Sequence, residues 1–289
     1  MPTREFAVAK GMRLAADVYG EADHPPLVCW PGAGQTRHSW SRSAQQLASL
    51  GFYVISVDLR GHGESSWAPD ADYSIDAFAA DVRAVVQALH RPPLLLGASI
   101  GGIASAIAVG EAPSAAARAL ILVDVVPDMD AQGLDRIRAF MSAGREGFGS
   151  VEEAAAAVTR YLPEREPSRS LGGLQRNLRL RADGRWYWHW DPAFHAGSRH
   201  RAEEGMFARM AAAARNIRVP ALIVSGSRSE VVSHAGVAQL RQLIPQAQWF
   251  QVPGATHMVV GDRNDAFNSA VSRFVREQSA SDGTPGLHT

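Results

Sequence analysis

A serine flanked by glycines lies at the junction of a predicted strand and a predicted helix. The apolar run Pro93-Leu94-Leu95-Leu96 predicts a buried strand, and the small apolar segment Ile103–Gly110 predicts a helix. Gly97-Ala98-Ser99-Ile100-Gly101 lies between them and has the G-x-S-x-G spacing of a nucleophile elbow. A turn this sharp presents its central hydroxyl at the carboxyl edge of the sheet. Ser99 is therefore the candidate nucleophile.

A serine hydroxyl is a weak nucleophile at neutral pH, so Ser99 needs a general base, which a third group must orient. The candidate base is His257, on a loop just after the predicted strand Gln248-Trp249-Phe250-Gln251. Its place late in the chain fits the order serine, acid, histidine that accompanies this type of elbow. Ser99 and His257 thus form the core of a predicted nucleophilic site.

Two carboxylates compete for the third position. Glu230 is the only carboxylate in the loop that follows the predicted strand 221–225, and Asp124 ends the predicted strand 119–124. Asp124 also has a structural interpretation, as a carboxylate that caps the exit of the chain from the sheet. We therefore favour Glu230 as the acid and keep Asp124 as the alternative.

The chain resembles the α/β-hydrolase superfamily over nearly its whole length, and three further segments carry this resemblance. Pro31-Gly32-Ala33-Gly34 resembles the oxyanion loop of that family, and Gly254–Asp262 resembles its histidine loop. The most specific block is Asp58–Ser65, which resembles the family segment D-x-R-G-x-G-x-S. The resemblance implies that the backbone N–H groups of Ala33 and Ile100 form an oxyanion hole.

The sequence departs from the family pattern at two positions. Pro31 stands where histidine is usual, and Glu230 stands where aspartate is usual. Because the implied oxyanion donor is a backbone N–H group, the first change leaves that donor in place. The second change lengthens the reach to the histidine by one methylene. His62 and Asp58 are expected to hold the turn after their strand rather than to react.

The nucleophile narrows the reactions that the resemblance implies. Relatives that open epoxides or remove halides use an aspartate at the elbow, where this chain has Ser99. The chemistry that remains is acyl transfer, in which a serine ester forms and water then hydrolyses it. We predict a serine hydrolase of carboxylic esters or lactones. The alternatives are a C–C bond hydrolase or a perhydrolase (haloperoxidase) with the same triad, and a non-catalytic ligand receptor on the same fold.

Predicted strands and helices alternate along the chain, which indicates an α/β fold. The pattern predicts the α/β-hydrolase fold, a mostly parallel eight-stranded sheet with helices on both faces. The alternation stops after the sixth strand, where a mainly helical cap is predicted at 126–216. Residues 1–125 and 217–289 then form one discontinuous core domain. The polar tail 279–289 is expected to be disordered.

The predicted cap contains four helical segments and an alternating aromatic run, Trp186-Tyr187-Trp188-His189-Trp190. In an extended segment its three tryptophans share one face. The favoured interpretation is that they form the cap's own core, and the other is an aromatic wall over an apolar acyl or alcohol group. The predicted helices are Asp130–Met141, Val151–Tyr161, Ser168–Leu178 and Arg199–Ala214, with no buried strand between them. The candidates for substrate contact are Trp40, Phe140, Trp186, Trp188, Trp190 and Met258.

Composition and charge disfavour several other classes of function. The chain has 29 Lys and Arg residues and 29 Asp and Glu residues, so neither nucleic acid nor an anionic membrane is an expected partner. The single cysteine, Cys29, excludes an intramolecular disulfide and a multi-cysteine metal site.

No apolar run approaches the ~18 residues of a membrane span, and the first residues, Met-Pro-Thr-Arg-Glu-Phe, lack a hydrophobic signal region. We therefore expect a cytoplasmic enzyme that needs neither cofactor nor metal and acts on a small, apolar ester or lactone. The sequence leaves its oligomeric state open, with a homodimer among the options.

Overall fold

The computed structural model describes residues 3–162, 171–195, 200–262 and 264–280. Eight strands form its main sheet: β1 (Thr3–Ala7), β2 (Arg13–Tyr19), β3 (Pro26–Trp30), β4 (Tyr53–Val57), β5 (Leu94–Ala98), β6 (Ala119–Val123), β9 (Ala221–Gly226) and β10 (Gln248–Val252). Two further strands, β7 (Leu178–Leu180) and β8 (Trp186–Trp188), form a separate antiparallel hairpin. The order across the main sheet is β1-β2-β4-β3-β5-β6-β9-β10.

The main sheet is mostly parallel, as the sequence predicts. The β1–β2 and β2–β4 pairs are antiparallel, and the other five pairs are parallel. The strands β3, β5, β6 and β9 are buried at every residue, as expected for parallel strands that are covered on both faces. These continuous apolar runs are what made the strands visible in the sequence.

The helices are α1 (Ser41–Ser49), α2 (Ile75–Gln87), α3 (Ile100–Gly110), α4 (Ala131–Ser142), α5 (Val151–Tyr161), α6 (Gly172–Gln175), α7 (His200–Ala214), α8 (His234–Leu243), α9 (Val259–Asp262) and α10 (Asn264–Ala280). Two hydrophobic cores lie against the sheet. Leu95 of β5 packs in the core that contains α2 and α3, whereas its neighbours Leu94 and Leu96 pack in the core that contains α1 and α10. Because successive strand residues point to opposite faces, the helices cover both faces of the sheet.

The insert between β6 and β9 begins with two helices that match their predicted positions. α4 follows Asp130, whose side chain accepts the Gly133 N–H at 2.8 Å. α5 follows Ser150, whose hydroxyl accepts the Glu153 N–H at 3.2 Å. Each of these side chains pairs an N–H group that the first turn of a helix leaves without a partner.

The rest of the insert differs from its prediction. In place of one helix at 168–178, the described residues form only the short α6 and the first residue of β7. The β7–β8 hairpin forms where no strand was predicted, although β8 lies within the alternating aromatic run, because a period within so few residues does not identify a pairing partner.

The last helix of the insert, α7, lies with the core helices. A Cβ atom on Gly110 of α3 would lie 2.1 Å from the carbonyl oxygen of Ala213, so the α3 and α7 backbones are in direct contact. The cap boundaries at 126 and 216 therefore remain predictions. α10 ends at Ala280, so the first two residues of the predicted tail at 279–289 belong to this helix, and the rest of the tail, 281–289, lies outside the described residues.

Candidate active site

Ser99 occupies the turn between β5 and α3 in a backbone conformation that L-residues rarely adopt. Its φ is 48° and its ψ is −121°, which is costly for a residue with a Cβ atom. A Cβ atom on Gly97 would lie 2.6 Å from the Gly101 carbonyl oxygen, and one on Gly101 would lie 2.6 Å from the Pro31 carbonyl oxygen. The glycines of the motif are therefore required by the close approach of strand, helix and oxyanion loop.

The candidate residues follow the carboxyl ends of neighbouring parallel strands. Ala33 follows β3, Ser99 follows β5, Asp124 follows β6, Glu230 follows β9 and His257 follows β10. In a parallel sheet these ends lie at one edge, where ligands of open α/β sheets bind. The topology thus brings residues from five separate stretches of the chain to one edge.

Asp124 holds the imidazole of His257. Its Oδ2 atom lies 2.7 Å from Nδ1 of His257, and its side chain is 1 % exposed. Two further donors hold the same carboxylate: the Gly226 N–H at 2.8 Å from Oδ1 and the Ser229 hydroxyl at 2.6 Å from Oδ2. With a carboxylate on Nδ1, the neutral ring carries its proton there and leaves Nε2 as the acceptor.

Glu230 does not take the position that the sequence analysis favoured. Its Oε2 atom accepts the main-chain N–H of His257 at 3.2 Å, and no hydrogen bond joins its carboxylate to the ring among the described residues. Asp124 directly follows its strand, whereas Glu230 lies four residues beyond β9, in a loop whose Ser229 turns toward Asp124. The preference for Glu230 is therefore corrected on geometry: the structure places its alternative, Asp124, against the ring, and the role of either residue as the acid stays a prediction.

Two carboxylates set the pKa of His257. Burial of the imidazole lowers the pKa, but the hydrogen bond and charge of Asp124, with the charge of Glu230, raise it above its ordinary value. Ser99 and His257 line the same cavity, although no hydrogen bond joins their side chains in the described part of the chain. Catalytic hydrogen bonds are often long before substrate binds.

A tight turn brings the predicted oxyanion loop against Ser99. The Gln35 N–H donates to the Gly32 carbonyl at 3.1 Å, and a Cβ atom on Gly32 would lie 3.3 Å from Cβ of Ser99. The N–H groups of Ala33 and Ile100 donate to no partner among the described residues. Ile100 is also the first residue of α3, where the helix dipole favours negative charge.

A cavity of about 500 Å³ lies over these residues. Ser99, His257 and Ala33 line it from the sheet edge, and the insert lines it from the other side. Of the predicted contact residues, four line this cavity: Phe140, Trp188, Trp190 and Met258. Trp188 and Trp190 stack on each other, with ring centroids 5.0 Å apart and planes 11° apart. They are 6 % and 4 % exposed, so they serve both as core of the insert and as cavity wall.

Two predicted contact residues lie elsewhere. Trp40 is fully buried and packs against Phe267, 6.1 Å away, in the core that contains α1 and α10. Trp186 of β8 exchanges backbone hydrogen bonds with Phe148 and does not line the cavity. Both predictions are wrong because residue type and period indicate an apolar environment but not which cavity or core supplies it.

Several cavity residues were missed by the sequence analysis. Ile137 and Met141 line it from α4, and Val158 and Leu162 line it from α5 and the residue after it. Within each pair the spacing is four residues, which places both side chains on one helix face. That apolar spacing is the signal that could have found them. Polar residues also line the cavity: Gln35, Thr36, Arg176 and Asn177.

Three further features of the described residues concern metal ligands, the single thiol and membrane spans. No group of three or more His, Cys, Asp or Glu side chains there could hold a metal ion. Cys29 is buried within β3, and this burial raises the pKa of its thiol. None of the described helices combines the length and apolar character that crossing a membrane requires.

Comparison with known proteins gives consistent relatives. The sequence profile of a family described as alpha/beta hydrolase fold matches residues 25–263. The chain is 29% identical over 229 residues to 2-(acetamidomethylene)succinate hydrolase of Mesorhizobium japonicum, which covers 78% of each chain. It is 28% identical over 269 residues to N-formylmaleamate deformylase of Pseudomonas putida, covering 92% of this chain and 94% of the relative.

The fold is also shared with solved structures. The crystal structure of E-2-(acetamidomethylene)succinate hydrolase superposes with a TM-score of 0.82 at 24% identity. The match covers 95% of this chain and 99% of that chain.

Proposed function

We propose that this chain, which belongs to the alpha/beta hydrolase fold family, is a serine hydrolase that cleaves carboxylic esters or lactones. The observation that carries the proposal is the hydrogen bond between Asp124 and His257, whose imidazole lines one cavity with a serine held at a strained elbow. Nucleophilic acyl transfer needs a serine hydroxyl, an imidazole and a carboxylate, and here all three lie at one sheet edge with the carboxylate buried.

The proposed reaction proceeds through an acyl-enzyme. Ser99 Oγ attacks the carbonyl carbon while Nε2 of His257 takes its proton, and Asp124 stabilises the imidazolium that forms. The N–H groups of Ala33 and Ile100 donate hydrogen bonds to the tetrahedral oxyanion and stabilise its negative charge. His257 then protonates the leaving alcohol. In the second half of the reaction, water gives a proton to His257 and attacks the serine ester, which releases the acid and restores the Ser99 hydroxyl.

The cavity wall supports an apolar substrate. Phe140, Trp188, Trp190 and Met258 supply aromatic and thioether surface, and a volume of about 500 Å³ is within the range of small-molecule sites. This surface favours an ester or lactone with an apolar acyl or alcohol group.

A second candidate is hydrolysis of an N-acyl group by the same residues. The two relatives compared above are named for N-formyl and acetamido compounds that also bear carboxylates. Arg176 lines the cavity, and a guanidinium group there suits a carboxylate on the substrate. Hydrolysis of C–C bonds and perhydrolysis would use the same triad and are distinguished by assay.

The test is labelling with a fluorophosphonate probe, followed by peptide mass spectrometry. In this reaction the Oγ–P bond forms, fluoride leaves and His257 takes the hydroxyl proton. We expect the label on Ser99 and none in Ser99→Ala. Ser105→Ala is the matched control, since Ser105 lies in α3 with its hydroxyl bonded to the Gly101 carbonyl, and it should keep the label.

Activity then separates the candidates. The purified chain is assayed against esters of increasing acyl length, lactones of increasing ring size, and N-formyl and N-acetyl amino acids. Turnover of esters or lactones supports the first candidate, and turnover of the N-acyl acids alone supports the second. An unlabelled Ser99 together with no turnover would favour a ligand receptor and overturn the proposal.

A further inference from the structure

The turn that carries Ala33 has a conformation that depends on glycine. The hydrogen bond from Gln35 N–H to the Gly32 carbonyl closes a four-residue turn, with Ala33 and Gly34 at its centre. Gly34 has φ +74°, as a type II turn requires at its third residue. The middle peptide of such a turn carries the Gly34 N–H and shares the Cα of Ala33 with the peptide of the Ala33 N–H. Because this middle peptide can flip, partners must hold it in place.

His62 holds one of these groups from the core. The Gly34 N–H donates to Nε2 of His62 at 3.1 Å. Nδ1 of His62 lies 3.0 Å from the Arg60 carbonyl oxygen, which can only accept, so Nδ1 carries the proton. The His62 side chain is fully buried. One neutral tautomer thus satisfies both bonds.

His189 holds the next group from the insert. Its Nδ1 accepts the Gly63 N–H at 2.8 Å, so the ring proton lies on Nε2, which is 3.3 Å from the Gly34 carbonyl oxygen. His189 is 1 % exposed. Burial and the neighbouring His62 lower its pKa well below the ordinary value, which keeps the ring neutral.

The segment around His189 is anchored to the core on both sides of the turn at 61–63. The Asp191 N–H donates to the Gly61 carbonyl at 2.8 Å, and the Tyr73 hydroxyl donates to the Asp191 carboxylate. A Cβ atom on Gly34 would lie 3.4 Å from the ring of Trp190, so this segment also contacts the turn directly.

We infer that His62 and His189 are positioning residues that hold Gly34 through its N–H and its carbonyl and so orient the Ala33 N–H as an oxyanion donor. The inference rests on the proposed function. His62 comes from the core and His189 comes from the insert. The insert therefore contributes to the catalytic geometry as well as covering the cavity.

Paired substitutions separate the two bonds of each histidine. A Gln amide reaches the position of Nε2 and an Asn amide reaches that of Nδ1, and each offers both a donor and an acceptor. His62→Gln and His189→Gln therefore keep the bond to Gly34. His62→Asn and His189→Asn keep the bonds to Arg60 and Gly63 and lose the bond to Gly34.

The expected result is a difference between the members of each pair. Both Asn variants should lower kcat by about tenfold with KM nearly unchanged, less than the roughly 10²- to 10³-fold cost of deleting an oxyanion donor. Both Gln variants should stay within about threefold of the unsubstituted chain in kcat, on the same reasoning. Inhibition by phenylboronic acid, whose tetrahedral adduct with Ser99 places a boron-bound oxygen in the hole, should weaken in step with kcat/KM.

Three outcomes decide the question. Equal kcat in the Asn and Gln variants at each position, or a loss confined to KM, would overturn the inference. If an Asn variant fails to fold, the Gln variant at the same position supplies the test. It should retain kcat even where its melting temperature falls, and a loss of kcat would overturn the inference. Failure of the proposed function is separate: the unsubstituted chain would then carry no fluorophosphonate on Ser99.

Discussion

The carboxylate of Asp124 lies 2.7 Å from Nδ1 of His257, although 133 residues of chain separate the two. Asp124 reaches this position from a left-handed backbone conformation, φ 48°, immediately after β6. Glu230 approaches the same histidine only at its main-chain N–H. This difference between two acidic residues at one sheet edge leads to the first prediction.

Asp124→Asn should lower kcat by about 10²- to 10⁴-fold, because the imidazolium loses its charge partner and its favoured tautomer. Glu230→Gln is the matched control and should lower kcat by less than about tenfold, since it changes a charge near the ring but not the bond to it. Steady-state kinetics on both variants makes the comparison. A larger loss for Glu230→Gln would return the acid role to Glu230.

The pH profile should report the raised pKa of His257. The reaction needs the neutral imidazole, so kcat/KM should fall as the pH drops through this pKa, which Asp124 and Glu230 hold above the ordinary histidine value. Glu230→Gln removes one of the charges that raise it and should move the acid limb to lower pH. An acid limb that stays in place in this variant would contradict the role given to that charge.

The same shift has a consequence for stability. Because the pKa of His257 is higher in the folded chain, its protonation stabilises the folded state. This contribution is complete below the unfolded value of about 6.5 and is lost as the pH rises through the folded value. The free energy of unfolding, measured with urea across this pH range, should lose the corresponding pH dependence in His257→Gln. The same change of this free energy with pH in both proteins would contradict the shift.

Ser99→Gly should unfold at a higher temperature than Ser99→Ala. Ser99 has φ 48°, and such a conformation costs a residue with a Cβ atom about 1–3 kcal/mol that glycine avoids. Ser105 in the interior of α3 is the control, because there glycine should be less stable than alanine by about 1 kcal/mol. Calorimetry on the four variants tests the sign at each position. The same order at both positions would argue against strain at the elbow.

The tryptophans of the insert should divide by position. Trp190→Ala removes cavity wall and should raise KM for long-chain esters more than for acetyl esters, at about 25 cal/mol per Å² of lost apolar contact. Trp186 lies outside the cavity, so Trp186→Ala should lower the melting temperature and leave the acyl-length preference unchanged. Identical acyl-length profiles in both variants would remove Trp190 from the substrate site.

The fold was predictable because its signals are local. The buried runs of β3, β5, β6 and β9 identify parallel strands, and their alternation with predicted helices indicates an α/β fold. The three-residue strands of the β7–β8 hairpin gave no such signal. Their pairing depends on the insert around them, so the prediction of a mainly helical insert did not include this hairpin.

The sequence by itself determined the elbow, because the requirement for glycine at 97 and 101 is a matter of contacts within a few residues and with one adjacent strand. It also determined which loops reach the sheet edge, because strand direction decides that. Only the tertiary structure decided which carboxylate reaches His257 and which tryptophans line the cavity. It alone brought His189 to Gly34, 155 residues away in sequence. Such contacts depend on the exact path of loops from distant parts of the chain, and no local pattern of residues encodes that path.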